Sequence, residues 1–433
     1  SGKFGMPALI LFMAVGMIFG CDGLFKIQFD NYAVAEKVCA AALVFIMFYG
    51  GFNTKWQSAK CVAVRATILS TLGVLVTAGL TGVFCYFVLH FSYVESFLIG
   101  AVLSSTDAAS VFSILRGKHL NLRDGTASLL EIESGSNDPM SYLLTMIGIS
   151  LLGKSDTGNI PLMIFMQLAL GILVGVVVAL IGIVLLTKTN FIPEGLETIF
   201  VIAIVIFSFG LAELIGGNSY LSVYLLGILL GNSRIRNKNI LIPFFDGVTG
   251  LAQILIFFLL GLLAFPHRMP DIMIPALFIA LFLTFVARPI AVFGILLPFR
   301  CSIRQCLLVS WAGLRGAASI VFAIMVIAGG GDISLDLFHI VFMVALLSVA
   351  FQGTLIPKVA EKLDMVDNSA DVSKTFNDYQ EESAMTLMRM YIPKGHNWEN
   401  HKICEVSIPT GALALMIKRD GDTMIPNLSL IHI

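Results

Sequence analysis

The chain has 433 residues, 57% of them hydrophobic and only 13% charged, with a mean hydropathy of +0.91. That balance excludes an ordinary water-soluble domain and points to a bilayer as the solvent. The formal net charge of −1 identifies no partner, and the absence of a phosphate loop, a Ser-His-Asp order or a nucleic-acid motif argues against an enzyme, a cofactor or a nucleic-acid partner.

Apolar runs of about 20 residues, each long enough to cross a hydrocarbon core as a helix, recur along the chain. They predict twelve membrane spans, near residues 5–20, 34–52, 66–89, 94–115, 125–152, 160–187, 196–215, 219–231, 240–264, 271–297, 305–328 and 335–356. The span at 219–231 is short and reads as tilted or partly re-entrant. Lys55, Lys60 and Arg65, then Arg116, Lys118 and Arg123, Lys188, Arg234, Arg236 and Lys238, and Arg300 and Arg304 fall in alternate connections, while the others hold chiefly Lys26, Lys154 and Arg268. The positive-inside rule therefore starts the first visible span inside and leaves the tail after Pro357 cytoplasmic. Seven cysteines without CxxC pairing read as small hydrophobes rather than a disulfide or metal framework. The histidines show no HxxxH spacing.

The chain also resembles itself. GMIFG at 16–20 and GILLG at 227–231, and LVFIMFYGG at 43–51 and LIFFLLGLL at 255–263, align their glycines at an offset of about 211; DAASVF at 107–112 and GAASIVF at 316–322 follow at 209. Spans one to five then recur as eight to twelve, and partners start on opposite sides of the membrane. An inverted repeat of five helices is expected, in which corresponding midplane helices are broken and expose ion-binding backbone.

Polar residues at membrane depth carry the functional reading. SSTDAAS at 104–110 and WAGLRGAAS at 311–319 are predicted to unwind and cross near Asp107 and Arg315. In the span 125–152, at 100° per residue, Glu131, Ser134 and Asp138 share one face, and Glu133 and Asn137 form a neighbouring stripe. A buried Arg315 requires a buried anion, and Glu133 is assigned to it. Asp138 is left without a fixed partner, as suits a group that holds a proton and a cation by turns. Asn137 and Pro139 orient it and break the local ladder. Glu131 reads either as the lining of an access funnel or as merely solvated. Arg288 before Pro289 and Glu213 before GGNS mark structural pairs or helix ends.

Beyond Pro357 the composition turns polar. Residues 1–357 form the membrane domain, 358–384 a polar linker, 385–427 a small α/β domain cut short, and 428–433 a non-native end. EVSI at 405–408 and ALALMIKRDGDTMIPN at 412–427 alternate as strands, with Asp420-Gly421 as a hairpin turn.

STDA at 105–108, ESGSND at 133–138, NSYLSVYLLGILLGN at 218–232 and GLRG at 313–316 together resemble the monovalent cation/proton antiporter superfamily, in its first, NhaP-like group. The resemblance runs from Gly5 to about Leu363. It implies that Asp138 is the transport carboxylate with Asn137 its neighbour, that Ser134, Asp107 and the backbone around Thr106 complete a site for a monovalent metal cation, and that Glu133 pairs with Arg315. Ala108 stands where the family carries proline, which leaves the position of that helix break open. The family pattern also has one helix before GMPALILF. An Asn-Asp pair implies electroneutral exchange. The tail resembles the start of a TrkA-C (RCK_C) domain, which tilts the cation towards potassium and the chain towards the NhaP2-type, cell-volume-regulation antiporters. The implied protein is a secondary antiporter of the inner membrane, exchanging protons for K+ or Na+, homodimeric in the bilayer, with a small-molecule regulator on its tail. A ligand-gated cation channel with a cytoplasmic sensor is the rival class, but no TVGYG-like filter exists.

Overall fold

The structure, a computed structural model, describes residues 8–29, 31–54, 56, 60–116, 120–153, 159–188, 193, 195–235, 237–329, 335–367, 417–419 and 422–424. Lys55, Lys118, Lys154, Arg236, most of the expected linker, the strand expected at 405–408, the turn at 420–421 and the end at 428–433 lie outside them. Two compact units emerge, 1–380 and 381–433.

In the first unit the helices are α1 (Ala8–Phe19), α2 (Tyr32–Asn53), α3 (Ala63–Phe87), α4 (Tyr93–Leu103), α5 (Ala108–Arg116), α6 (Thr126–Leu152), α7 (Ile160–Lys188) and α8 (Glu197–Leu214). There follow α9 (Ser219–Gly231), α10 (Lys238–Leu263), α11 (Met269–Phe282), α12 (Arg288–Leu296), α13 (Ile303–Trp311), α14 (Ala317–Ala328), α15 (Leu337–Leu347) and α16 (Thr354–Lys362). Each of the twelve expected spans carries helix. Among the described residues, eight helical stretches are long and apolar enough to cross a membrane, and three shorter apolar helices accompany them. The span at 94–115 is α4 and α5, separated by an unwound stretch at 104–107, and that at 305–328 is α13 and α14, separated at 312–316.

Local chemistry explains the ends. Ser92 and Glu95 close a capping box at the start of α4, and Asn218, Ser302 and Asp336 accept backbone N–H bonds at the starts of α9, α13 and α15, each supplying an acceptor for an otherwise orphaned donor. Two π-helical turns interrupt the later spans, Leu283–Ala287 and Ser348–Gly353. Both precede a proline, Pro289 and Pro357. A proline ring clashes with the carbonyl four residues back, here at Phe285 and Gly353, so widening the helix at those positions accommodates it. The last helix therefore continues through Pro357 to Lys362, beyond the expected end of that span.

The repeat is visible in the packing. Gly16 on α1 meets α10, where an added Cβ would lie 2.9 Å from Gly261 Cα, and on the equivalent pair Gly51 of α2 meets the backbone of α9 at Tyr224. First helix of one repeat thus packs on second helix of the other, twice. After α16 the chain returns to the connection before α6, where Leu122 and Val366 form an antiparallel bridge. In the second unit, Ile417–Arg419 and Asp422–Met424 pair antiparallel, with Arg419 opposite Asp422.

Candidate functional site

The two unwound stretches lie against each other. Asp107 N donates to Leu314 O (2.9 Å), and Arg315 Nη1 donates to Ser105 O (2.7 Å). The contact leaves no room for a side chain at Gly316, because a Cβ there would overlap the Asp107 side chain. This is why a glycine stands at the crossing. The Arg315 backbone N–H is taken by Ser348 Oγ (3.1 Å), which in turn donates to Gln352 Oε1 (2.9 Å); both belong to the second π turn.

Helix α6 brings its polar stripe to this crossing. Asp138 is 5% exposed, and its Oδ1 accepts a bond from Ser105 Oγ. Asn137 Nδ2 donates to Thr106 Oγ1 (2.5 Å) and, more weakly, to Glu133 Oε1 (3.3 Å), while the buried Asn137 Oδ1 has no hydrogen-bond partner among the described residues. Ser134 Oγ donates to Thr106 O (2.8 Å) and accepts from Ala108 N (2.9 Å), so one hydroxyl bridges both sides of the break. Thr106, Ser134, Asn137 and Asp138 are therefore gathered around the break in the span 94–115. The Asp107 carboxylate turns to its own helix, where Ser110 N (3.2 Å) and Ser110 Oγ (2.5 Å) donate to it as an N-terminal cap of α5. Glu131 is half-buried further along α6.

One assignment is corrected. Glu133 pairs with Arg288, not Arg315: Arg288 Nη1 and Nη2 meet Glu133 Oε1 and Oε2 at 2.9 and 2.8 Å. The side chains are 3% and 1% exposed. The fork matches a carboxylate in two parallel bonds, and Gly313 makes room for it, since a Cβ there would lie 2.7 Å from Arg288 Nε. Arg315 forms no ion pair among the described residues; backbone carbonyl and position at the crossing hold it instead. Sequence reasoning missed Ser105, although the run SSTDAAS contained the signal. It marked Arg288 only as a member of a structural pair or a helix end.

Residues 1–362 match the family described as "Sodium/hydrogen exchanger, transmembrane". The K(+)/H(+) antiporter NhaP of Alkalimonas amylolytica is 34% identical, over 98% of this chain and 75% of its own length. NhaP2 of Shewanella sp. (strain MR-4), also named a K(+)/H(+) antiporter, is 34% identical over 99% and 75%. The structure of the sodium proton antiporter MjNhaP1 from Methanocaldococcus jannaschii at pH 8 shares the fold, with a TM-score of 0.73 at 24% identity, covering 83% of this chain and 93% of that one. On the family match and the relatives' extent, this chain belongs to the transmembrane sodium/hydrogen exchangers.

Proposed function

We propose that the protein is an electroneutral antiporter of the inner membrane that exchanges one proton for one monovalent cation, potassium in preference to sodium, with Asp138 as the exchange carboxylate. One observation carries this reading: Asp138 is buried beside the crossed breaks, and no cation of the protein lies within ion-pair distance of it among the described residues. Glu133, by contrast, is fully engaged by Arg288. A buried carboxylate needs a counter-charge, and here that charge is a proton or the transported ion.

The surroundings suit either occupant. Ser105 Oγ, Thr106, Ser134 and Asn137 Oδ1 offer the hard oxygen donors that bind alkali cations, and ligand type of this kind does not by itself separate K+ from Na+. Asp107 contributes negative charge from the N-terminus of α5. Charge accounting supports one-for-one exchange. Arg288 balances Glu133, and Asp138 with a proton and Asp138 with a monovalent cation carry the same net charge. The preference for potassium rests on the names of the relatives at 34% identity.

In this reading Glu131 lines the cytoplasmic access funnel, the tail after α16 is cytoplasmic and forms the start of a TrkA-C-like regulatory domain that binds a small molecule, and two copies associate in the bilayer. The role is cation, pH and volume homeostasis, without a cofactor. The test is cation-dependent dequenching of a pH dye in everted vesicles, run with KCl and NaCl, for the wild type and Asp138→Asn. Exchange with both salts, stronger with K+, and none in the variant is expected; exchange retained by Asp138→Asn overturns the assignment.

A further inference from the structure

Helix α6 contains a gap in its own hydrogen-bond ladder at the turn that carries Asp138. Pro139 lies inside the helix and has no N–H, so position 139 donates nothing to the Gly135 carbonyl. Two contacts, from the cap and the body of α9, fall on the same turn of α6. Asn218 Nδ2 donates to Pro139 O (2.9 Å), and Ser136 Oγ donates to Tyr224 Oη (3.2 Å). Beside the second bond the Tyr224 ring lies flush on α6: a Cβ at Gly135 would come within 2.7 Å of Tyr224 Cε2. Both α9 side chains are buried, Asn218 at 0% and Tyr224 at 3% exposure.

Helix α9 is itself well fixed. Its start is tied to α7 by Asn218 N donating to Gln167 O (2.9 Å). Its body is set on α2 at Gly227 and Gly231, where added Cβ atoms would overlap the carbonyls of Phe48 and Phe52. The Asn218 side chain also divides its duties between its two ends. Oδ1 accepts from Leu221 N (2.9 Å) as the cap of α9, and only Nδ2 reaches across to α6.

We propose that Asn218 and Tyr224 are positioning residues for the exchange carboxylate: they clamp, from outside, the turn at which Pro139 breaks the helix's own ladder, and so hold the Asp138 turn in register with Ser105. The inference rests on the assignment of Asp138 as the exchange carboxylate. Neither residue touches the transported ion. Loosening the turn spreads the carboxylate over more positions, and the cation then binds to a less organised site. A loss of that kind raises the apparent Michaelis constant and leaves the maximal rate nearly intact.

The duties of Asn218 can be separated. Asn218→Ser keeps a good helix cap but its short hydroxyl cannot span to Pro139 O. Tyr224→Phe keeps the ring against Gly135 and removes the acceptor of Ser136; Ser136→Ala removes the same bond from the other side. In everted vesicles, with protein level and melting checked, Asn218→Ser and Tyr224→Phe should each weaken the apparent cation affinity about fivefold, the worth of one hydrogen bond. The double variant Tyr224→Phe/Ser136→Ala should be no worse than Tyr224→Phe alone, because the Ser136 bond is already lost in that single variant. Unchanged affinity in both Asn218→Ser and Tyr224→Phe, or a fall in maximal rate with unchanged affinity, overturns the inference while Asp138→Asn remains inactive. Exchange by Asp138→Asn instead overturns the assignment on which it rests.

Discussion

Neutralising either member of the Glu133–Arg288 pair should damage the protein more than neutralising both. The pair is sealed from solvent, with side-chain exposures of 1% and 3%, and its two bonds of 2.9 and 2.8 Å use both carboxylate oxygens. Arg288→Gln leaves the Glu133 charge buried with only the donors of Asn137 (3.3 Å) and Thr106 (3.4 Å). Glu133→Gln leaves a guanidinium whose Nε already has no hydrogen-bond partner among the described residues. Breaking one side of such a pair costs about 3–5 kcal/mol. Removing both charges leaves no orphan, so the double variant should recover about 2 kcal/mol or more of the summed loss, at the upper end of measured couplings. Thermal unfolding in detergent, followed by fluorescence-detected size exclusion, gives the four corners of the cycle. The same cycle with Arg315→Gln is the control. Arg315 reaches Ser105 O rather than Glu133, so that coupling should be markedly smaller. A coupling of Glu133 to Arg315 as large as that to Arg288 would refute the pairing.

Other expectations follow from the same geometry. Gly316→Ala should push the Asp107 side chain aside, costing about 1–3 kcal/mol as an overpacked contact and lowering exchange activity, both read from melting and vesicle assays. Asp336 caps α15 and accepts from His339 Nδ1 (2.6 Å); burial alone would raise its pKa, but the bonds and charge of His339, with Arg268 nearby, hold it below its ordinary value. A depressed carboxylate stabilises the fold above its unfolded value and loses that contribution as pH falls through the folded value. The melting advantage of the wild type over Asp336→Asn should thus be full at neutral pH and decline progressively as the pH falls below the ordinary carboxylate range, whereas an advantage that grows with acid would contradict it. Asp364 holds Arg123 and Arg304 at 3.2 and 3.3 Å on the surface, so Asp364→Asn should shift stability by less than about 1 kcal/mol.

The spans and their breaks were readable because they depend on local composition. An apolar run of membrane length specifies a helix whatever surrounds it, and Ser104–Asp107 and Gly313–Gly316 weaken a helix through their own residue types. The turn around Asp138 was readable for the same reason, since Asn137, Asp138 and Pro139 are consecutive. Pairing was not. Helical periodicity states which face of α6 carries Glu133, but not which helix faces it, and Arg288 stands 155 residues away. Arg315, lying in the more conspicuous GLRG stretch, took the assignment. The π turns were equally hidden, because they answer a steric demand of Pro289 and Pro357 that a plain helix pattern absorbs without trace. Asp107 illustrates a third limit: its place at the crossing was legible, its turn towards Ser110 was not.

The proposed exchange requires that proton and cation compete for one carboxylate. It is tested most directly by initial exchange rates over a grid of pH and potassium or sodium concentration in everted vesicles. If Asp138 serves both ions, acid inhibits by holding it protonated and added cation relieves the inhibition. On the acid side of its titration the apparent cation affinity should then weaken about tenfold per pH unit while the maximal rate at saturating cation is preserved. An apparent affinity that stays constant as the pH falls, with only the maximal rate declining, would contradict competition at Asp138.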